Sequence, residues 1–129
     1  MEWDAQWSEA QATNPEDRQD ILLMRWWPDY ASPSSWFDSL VKSEETVTFN
    51  LSYINDPELD AMITEADNTD RAKAESLYVA AQDKLIDSTP MIFMFDDSHT
   101  LIVSNTISGV EENPAYSTVI HYYNVTKIG

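Results

Sequence analysis

The sequence has no cysteine, two glycines and only seven lysines and arginines. Without thiols there is no disulfide framework, no cysteine nucleophile and no Cys-ligated zinc or iron–sulfur site. Two glycines leave no room for a glycine-rich phosphate loop, and no serine lies in a nucleophile-elbow sequence. No apolar run approaches the ~18 residues that a membrane-crossing helix needs. The shortage of cations matters most, because 23 acidic residues oppose those seven basic ones and the formal net charge is −16. A phosphate backbone or an anionic lipid surface repels such a chain, which disfavours nucleic-acid binding and polybasic membrane docking. The acidity itself reads either as solubility in a salty exterior or as attraction for cationic groups.

What is present is an aromatic-rich chain of single-domain size. The 129 residues are 43% hydrophobic and include five Trp, six Tyr and four Phe, far too much apolar surface for a disordered chain. Trp3, Trp7 and Ala10 at helical spacing predict a short amphipathic helix over residues 3–12, ended near Asn14-Pro15. Residues 20–27 are an apolar run that suits a buried strand. Ser32-Pro33 reads as an N-cap with proline in the first turn, opening a helix to about Leu40. Asn55 or Asp56 before Pro57 opens another, with Leu59, Met62, Ile63 and Ala66 on one face. A longer helix from about Asp70 to Asp87 buries Ala74, Leu77, Tyr78, Ala81 and Leu85. Strands are expected at Met91–Phe95 and Thr100–Val103, with weaker candidates at Val47–Phe49 and over 116–123, and Gly109 in a turn. The fold class is mixed α and β, with helices covering a small sheet.

Several of these elements are familiar in order. Trp26-Trp27-Pro28-Asp29-Tyr30-Ala31-Ser32-Pro33 resembles the W-x-x-D-Y-x-x-P element of the peptide- and nickel-type family of extracellular solute-binding proteins, solute-binding family 5. Asn50 followed by Tyr53-Ile54-Asn55-Asp56-Pro57-Glu58-Leu59-Asp60 is similar to the same family's N…Y-x-N-P-E-L-D segment, with Asp56 inserted. Arg71, Leu77-Tyr78, Gln82, Leu85-Ile86 and Pro90-Met91-Ile92 resemble its helix-to-strand passage, and Val110–Pro114 its turn before a closing strand. The resemblance covers about residues 20–116. It implies part of one lobe of a two-lobed periplasmic-binding-protein-like fold, with solute held in the cleft between lobes and delivered to the permease subunits of an ABC importer. Residues 1–129 are then a single C-terminal-lobe domain, in which about 91–129 returns toward an N-terminal lobe lying upstream. The resemblance further implies an exported, periplasmic or cell-surface protein whose signal sequence precedes Met1. Met1-Glu2-Trp3-Asp4 has neither the basic start nor the apolar stretch of a signal peptide.

The expected ligand-binding residues are Asp29, Trp26, Tyr30, Trp27 and Trp36. In peptide-binding relatives the aspartate of W-x-x-D-Y pairs with the ligand's α-ammonium group. A carboxylate on a loop leaving a strand end is also well placed on general grounds, since strand ends of open α/β sheets face the crevice. The alternative is that Asp29 only shapes the turn between Pro28 and Pro33. The four aromatic residues would supply apolar area or stacking faces, or would serve as ordinary core. Strand alternation puts Trp26 and Trp27 on opposite faces, and the resemblance points to Trp26 as the one lining the pocket.

His99 and His121 lack metal-ligand spacing, Asp96-Asp97 lacks an oxygen-rich loop, and Glu44-Glu45 and Glu111-Glu112 diverge as adjacent pairs. No metal, cofactor or catalytic activity is therefore expected. Two other readings are an acidic interaction module that binds a basic protein through the helices over 56–87, and an oligosaccharide-binding member of the same family. A carbohydrate-active enzyme has less behind it, since nothing sets two acids across a sugar site.

Overall fold

A computed structural model describes residues 2–96, 98, 100–111, 113 and 120–128. Among them lie four helices, α1 (Trp3–Ala10), α2 (Pro33–Leu40), α3 (Pro57–Asp67) and α4 (Arg71–Ser88), and two short strands, β1 (Ile107–Ser108) and β2 (Thr126–Lys127). The chain is thus mixed α and β. It divides into two compact units, one of residues 1–27 and 32–92 that holds all four helices, the other of 28–31 and 93–129 that holds both strands.

The helix boundaries follow from capping chemistry. Ser32 is extended and its hydroxyl accepts from Ser34 N–H, with Pro33 at the first helical position. Asp56 does the same for α3, its carboxylate accepting from the N–H groups of Glu58 and Leu59, and Asp70 caps α4 through Lys73 N–H at 3.2 Å. Each cap satisfies donors that a helix start leaves orphaned. At the far end of α4, Thr89 adopts the left-handed conformation (φ 48°) and gives its N–H to the carbonyls of Leu85 and Ile86. That place is usually taken by glycine; here Pro90 follows. α1 ends at Ala10, two residues sooner than its sequence period suggests, where Ala12 N–H closes a tighter turn on Glu9 O in place of the helical bond to Ser8.

The first unit's core is helix on helix. α3 and α4 pack as an antiparallel hairpin. Lys73 reaches Glu65 near the turn, at 2.5 Å. At the open end Lys84 bridges Asp56 and Glu58, at 3.1 and 2.7 Å. Leu59, Ile63 and Ala66 of α3 and Tyr78, Ala81 and Leu85 of α4 are buried against one another and against Phe37, Leu40 and Val41 of the α2 region. Phe37 and Tyr78 stack with ring centroids 5.3 Å apart. Met62, Ala74 and Leu77 border this cluster rather than filling it. Burying such a set at ~25 cal/mol per Å2 of apolar surface is the main stabilising term of the unit.

Residues 42–55 are irregular but closely tied. Asn50 is buried; its side chain donates to the carbonyls of Lys42 (3.2 Å) and Ile54 (2.7 Å) and accepts from Ile54 N–H. The Glu44 carboxylate accepts from the backbone N–H groups of Thr48, Phe49 and Asn50, and Asp60 accepts from Ser43 N–H. Tyr53 sits at φ 54°. Its hydroxyl donates to Ala10 O at 2.6 Å and its ring carries the Arg18 guanidinium at 3.5 Å.

The sheet is smaller than the sequence suggests. Residues 20–27 form no ladder; the segment runs extended, with Leu22, Met24 and Trp26 half-buried and Ile21, Leu23, Arg25 and Trp27 exposed. Its period-2 pattern survives because one side lies on the helical core, where Met24 and Trp26 pack. Val47–Phe49, Met91–Phe95 and Thr100–Val103 also lack strand pairing. β propensity alone does not make a strand, since the ladder bonds need a partner; among the described residues none pairs with these segments. Of the expected strand over 116–123, residues 116–119 lie outside the described residues, and Tyr122–Asn124 form a single 3-10 turn. β1 and β2 pair antiparallel in the register Ile107↔Lys127 and Ser108↔Thr126. The ladder extends through Ile128 N–H to Thr106 O at 2.7 Å and is flanked by a Ser108–Thr126 hydroxyl bond.

Two expectations follow. Gly109 has φ 75°, and a Cβ there would fall 1.9 Å from Asn124 O. Gly109→Ala should therefore break the β1–β2 pairing, seen as lost exchange protection at Ile128 N–H with protection of α3 and α4 retained; unchanged protection at Ile128 would contradict this reading. Tyr78 donates its hydroxyl to the Asp67 carboxylate, and burial together with that carboxylate pushes its pKa well above the ordinary 10.0. Below that ordinary value both folded and unfolded chains keep the proton. Above it only the unfolded chain ionises readily, so stability should fall as pH rises toward the folded-state value. Urea midpoints between about pH 8 and 11 should decline more steeply for the parent chain than for Tyr78→Phe.

Candidate functional site

The five expected ligand-binding residues fall on both units. Trp26 and Trp27 end the extended segment of the first unit and Trp36 lies on α2, while Asp29 and Tyr30 belong to the second. The Pro28–Ala31 stretch carries no regular element. Pro28 fixes its own φ and restricts Trp27 before it, so the chain leaves the extended segment through a stiff dipeptide.

Trp26 and Trp27 do point to opposite sides. Trp26 packs against the helical core, edge-on to Phe49 with ring centroids 5.3 Å apart. Its indole Nε1–H is buried without an acceptor among the described residues, an arrangement that costs about 1–3 kcal/mol unless a further group supplies one. Trp27 is 65% exposed. Asp29, Tyr30 and Trp36 also reach solvent. Asp29 is an exposed residue, as a ligand contact requires and as a turn-shaping role also permits.

An aromatic array escaped the sequence reading. Trp3 and Trp7 of α1 lie 5.5 Å apart, Trp7 meets Phe49 at 5.9 Å edge-on, and Phe49 meets Trp26. The i, i+4 spacing of Trp3 and Trp7 was visible as the apolar face of a helix. No local signal links that face to Phe49 some forty residues on.

Among the described residues no three His, Cys, Asp or Glu side chains gather as a metal site. Asp96 is exposed; Asp97 and His99 lie outside the described residues. His121 Nε2 is 2.7 Å from the Asn113 side-chain amide. No helix among the described residues is long and apolar enough to cross a membrane.

In comparisons with known proteins, the chain is 26% identical over 113 residues to "Probable D,D-dipeptide-binding periplasmic protein DdpA" of Escherichia coli (strain K12). The aligned region takes in 84% of this chain and 21% of that protein, so the chain spans about a fifth of the relative it matches. No family model and no solved structure matches. The similarity is distant, and it is to a binding protein rather than an enzyme.

The two tryptophans give a direct check on this geometry. Trp27→Ala should change unfolding free energy by no more than about 0.5 kcal/mol, as for exposed positions. Trp26→Ala should cost about 2–4 kcal/mol because a ring leaves the packed side of the segment. Paired urea titrations decide the matter, and equal costs would contradict the opposed orientations.

Proposed function

We propose that this chain is the C-terminal-lobe part of an exported solute-binding protein of the peptide- and nickel-type family, serving an ABC importer. It captures a peptide or another amine-bearing solute in a cleft shared with an upstream lobe and presents it to membrane permease subunits. The observation that carries this reading is the agreement of two readings of the same sequence. The ordered motifs from Trp26 to Pro114 resemble that family, and the distant relative found by whole-sequence comparison is a dipeptide-binding periplasmic protein. The segment from about residue 91 onward is the return toward the other lobe.

Within this reading Asp29 binds the ligand's ammonium group. A carboxylate facing an ammonium forms a charge-assisted bond, shorter and stronger than a neutral one, and it fixes which end of a peptide enters first. Trp27, Tyr30 and Trp36 offer exposed ring surface beside it in sequence, and Trp26 supports the segment or lends its indole N–H to a solute acceptor. Closure removes water from the pair, so the same carboxylate would discriminate sharply against a ligand whose amine is blocked.

The test is calorimetric titration of the full-length protein with D-alanyl-D-alanine and with its N-acetyl derivative. The free dipeptide should bind more tightly, and Asp29→Ala should lose at least ~2 kcal/mol, about 30-fold in Kd, and with it the preference for the free amine. Unchanged affinity in that variant removes Asp29 from the site. Absence of binding by the parent protein removes this dipeptide as the solute.

A further inference from the structure

The aromatic array of α1 and the 44–53 loop lies apart in sequence from the Trp26–Tyr30 stretch, and the proposed capture of solute leaves its outer rings unused. Trp3 and Phe49 are 48% and 40% exposed. Trp7 lies between them, in ring contact with both, so the exposed rings belong to one connected aromatic group rather than standing singly. Their mutual angles of 42° (Trp3–Trp7) and 65° (Trp7–Phe49) present faces as well as edges.

The charge of the segments around them is largely negative. Residues 2–17 carry five carboxylates (Glu2, Asp4, Glu9, Glu16, Asp17) and residues 43–55 two more (Glu44, Glu45), with no lysine or arginine in either segment. The nearest cation in sequence, Arg18, is committed: it lies over the Tyr53 ring at 3.5 Å and donates to the carbonyls of Ala12 and Thr13. Lys42, Arg71, Lys73 and Lys84 each face a carboxylate on the helices. The faces of Trp and Phe therefore sit on segments whose seven carboxylates outnumber the nearby positive charge of Arg18, which its ring and carbonyl contacts leave in place. A planar guanidinium satisfies both features at once, through ring stacking and charge. The molecule already uses that pairing internally at Arg18 and Tyr53.

We propose that Trp3, Trp7 and Phe49 form a docking surface for an arginine-rich segment of a protein partner. The surface meets the proposed solute residues at Trp26, which Phe49 contacts edge-on, whereas Trp3 and Trp7 are not among those residues. Arginine is favoured over lysine because the guanidinium is less strongly hydrated and stacks flat on an indole. Binding is carried by a few aromatic contacts with carboxylates around them, so it weakens with salt without vanishing at physiological ionic strength.

The experiment is fluorescence anisotropy of a labelled nine-residue oligoarginine titrated with the 129-residue chain at about 0.15 M salt, alongside its lysine and citrulline counterparts. Oligoarginine should bind, oligolysine more weakly, and the neutral citrulline peptide not at all. Trp3→Leu and Phe49→Leu keep apolar area but remove the ring, and each should weaken oligoarginine binding about fivefold or more. The double variant Asp83→Asn/Asp87→Asn, which removes two carboxylates of α4, should change it less than twofold. Far-UV circular dichroism checks that the helices persist, and either ring variant suffices if the other unfolds. Leucine variants that bind like the parent overturn the proposal. So does an equal loss on removing the α4 carboxylates, which marks general charge attraction, or a failure of oligoarginine to bind.

Discussion

The mutual burial of α3 and α4 is the contact on which the first unit depends. Leu59, Ile63 and Ala66 face Tyr78, Ala81 and Leu85, and Phe37 and Leu40 close the cluster from α2. Nothing else in that unit buries comparable apolar surface, so the extended segment carrying Trp26 is positioned by resting on this hairpin rather than by strand pairing. The surface ion pairs along it, Lys73 with Glu65 and Lys84 with Asp56 and Glu58, add register more than energy, because exposed pairs are each worth under about 1 kcal/mol. What they do is favour one register: a hairpin displaced by one turn would separate Lys73 from Glu65 and Lys84 from Asp56 and Glu58.

Carboxylates also replace backbone partners. In residues 42–55 the Glu44 side chain takes three successive N–H groups and Asn50 substitutes for two missing strand contacts. An irregular loop can be held this way at little cost, since each buried backbone donor finds an acceptor. The result is a firm base under Phe49, which in turn meets both Trp7 and Trp26. The acidity of the sequence is thus partly structural. Asp56 and Asp70 cap helices, Asp60 and Glu44 organise a loop, and Asp67 holds Tyr78. Among the described residues Glu2, Asp4, Glu9 and Glu45 show no such side-chain bond and leave the charge near α1 open to outside partners.

Helices were legible in the sequence because their signals are local. Ser32-Pro33, Asp56-Pro57 and Asp70 mark starts within a few residues, and the three-four spacing of Leu59, Ile63 and Ala66 names the buried face directly. Strands were not. Ile21–Trp27 and Met91–Phe95 have the composition of strands, yet pairing is a property of two segments, and composition speaks only for one. The alternation of Trp26 and Trp27 was readable, whereas the side taken by each depends on the α3–α4 hairpin lying beneath. The aromatic array joins positions 3, 7, 26 and 49, and no short-range pattern foretells such a gathering. The motif run from Trp26 to Pro114 carried more about function than any of these elements did, and it agrees with the distant relative while the geometry of the individual site residues stands as a proposal.

Thr89 illustrates how a glycine-poor chain is constrained. With two glycines in all, it meets a helix terminus that calls for left-handed backbone with a β-branched residue, and Tyr53 does likewise in its loop. Each such placement costs about 1–2 kcal/mol, carried by neighbouring contacts. At Thr89 the return is the capping bond its N–H makes to the Leu85 and Ile86 carbonyls, which a glycine would make without the strain. The molecule therefore holds an untapped margin at a spot remote in sequence from every proposed recognition residue, available to an evolving lineage when some costlier change must be absorbed elsewhere.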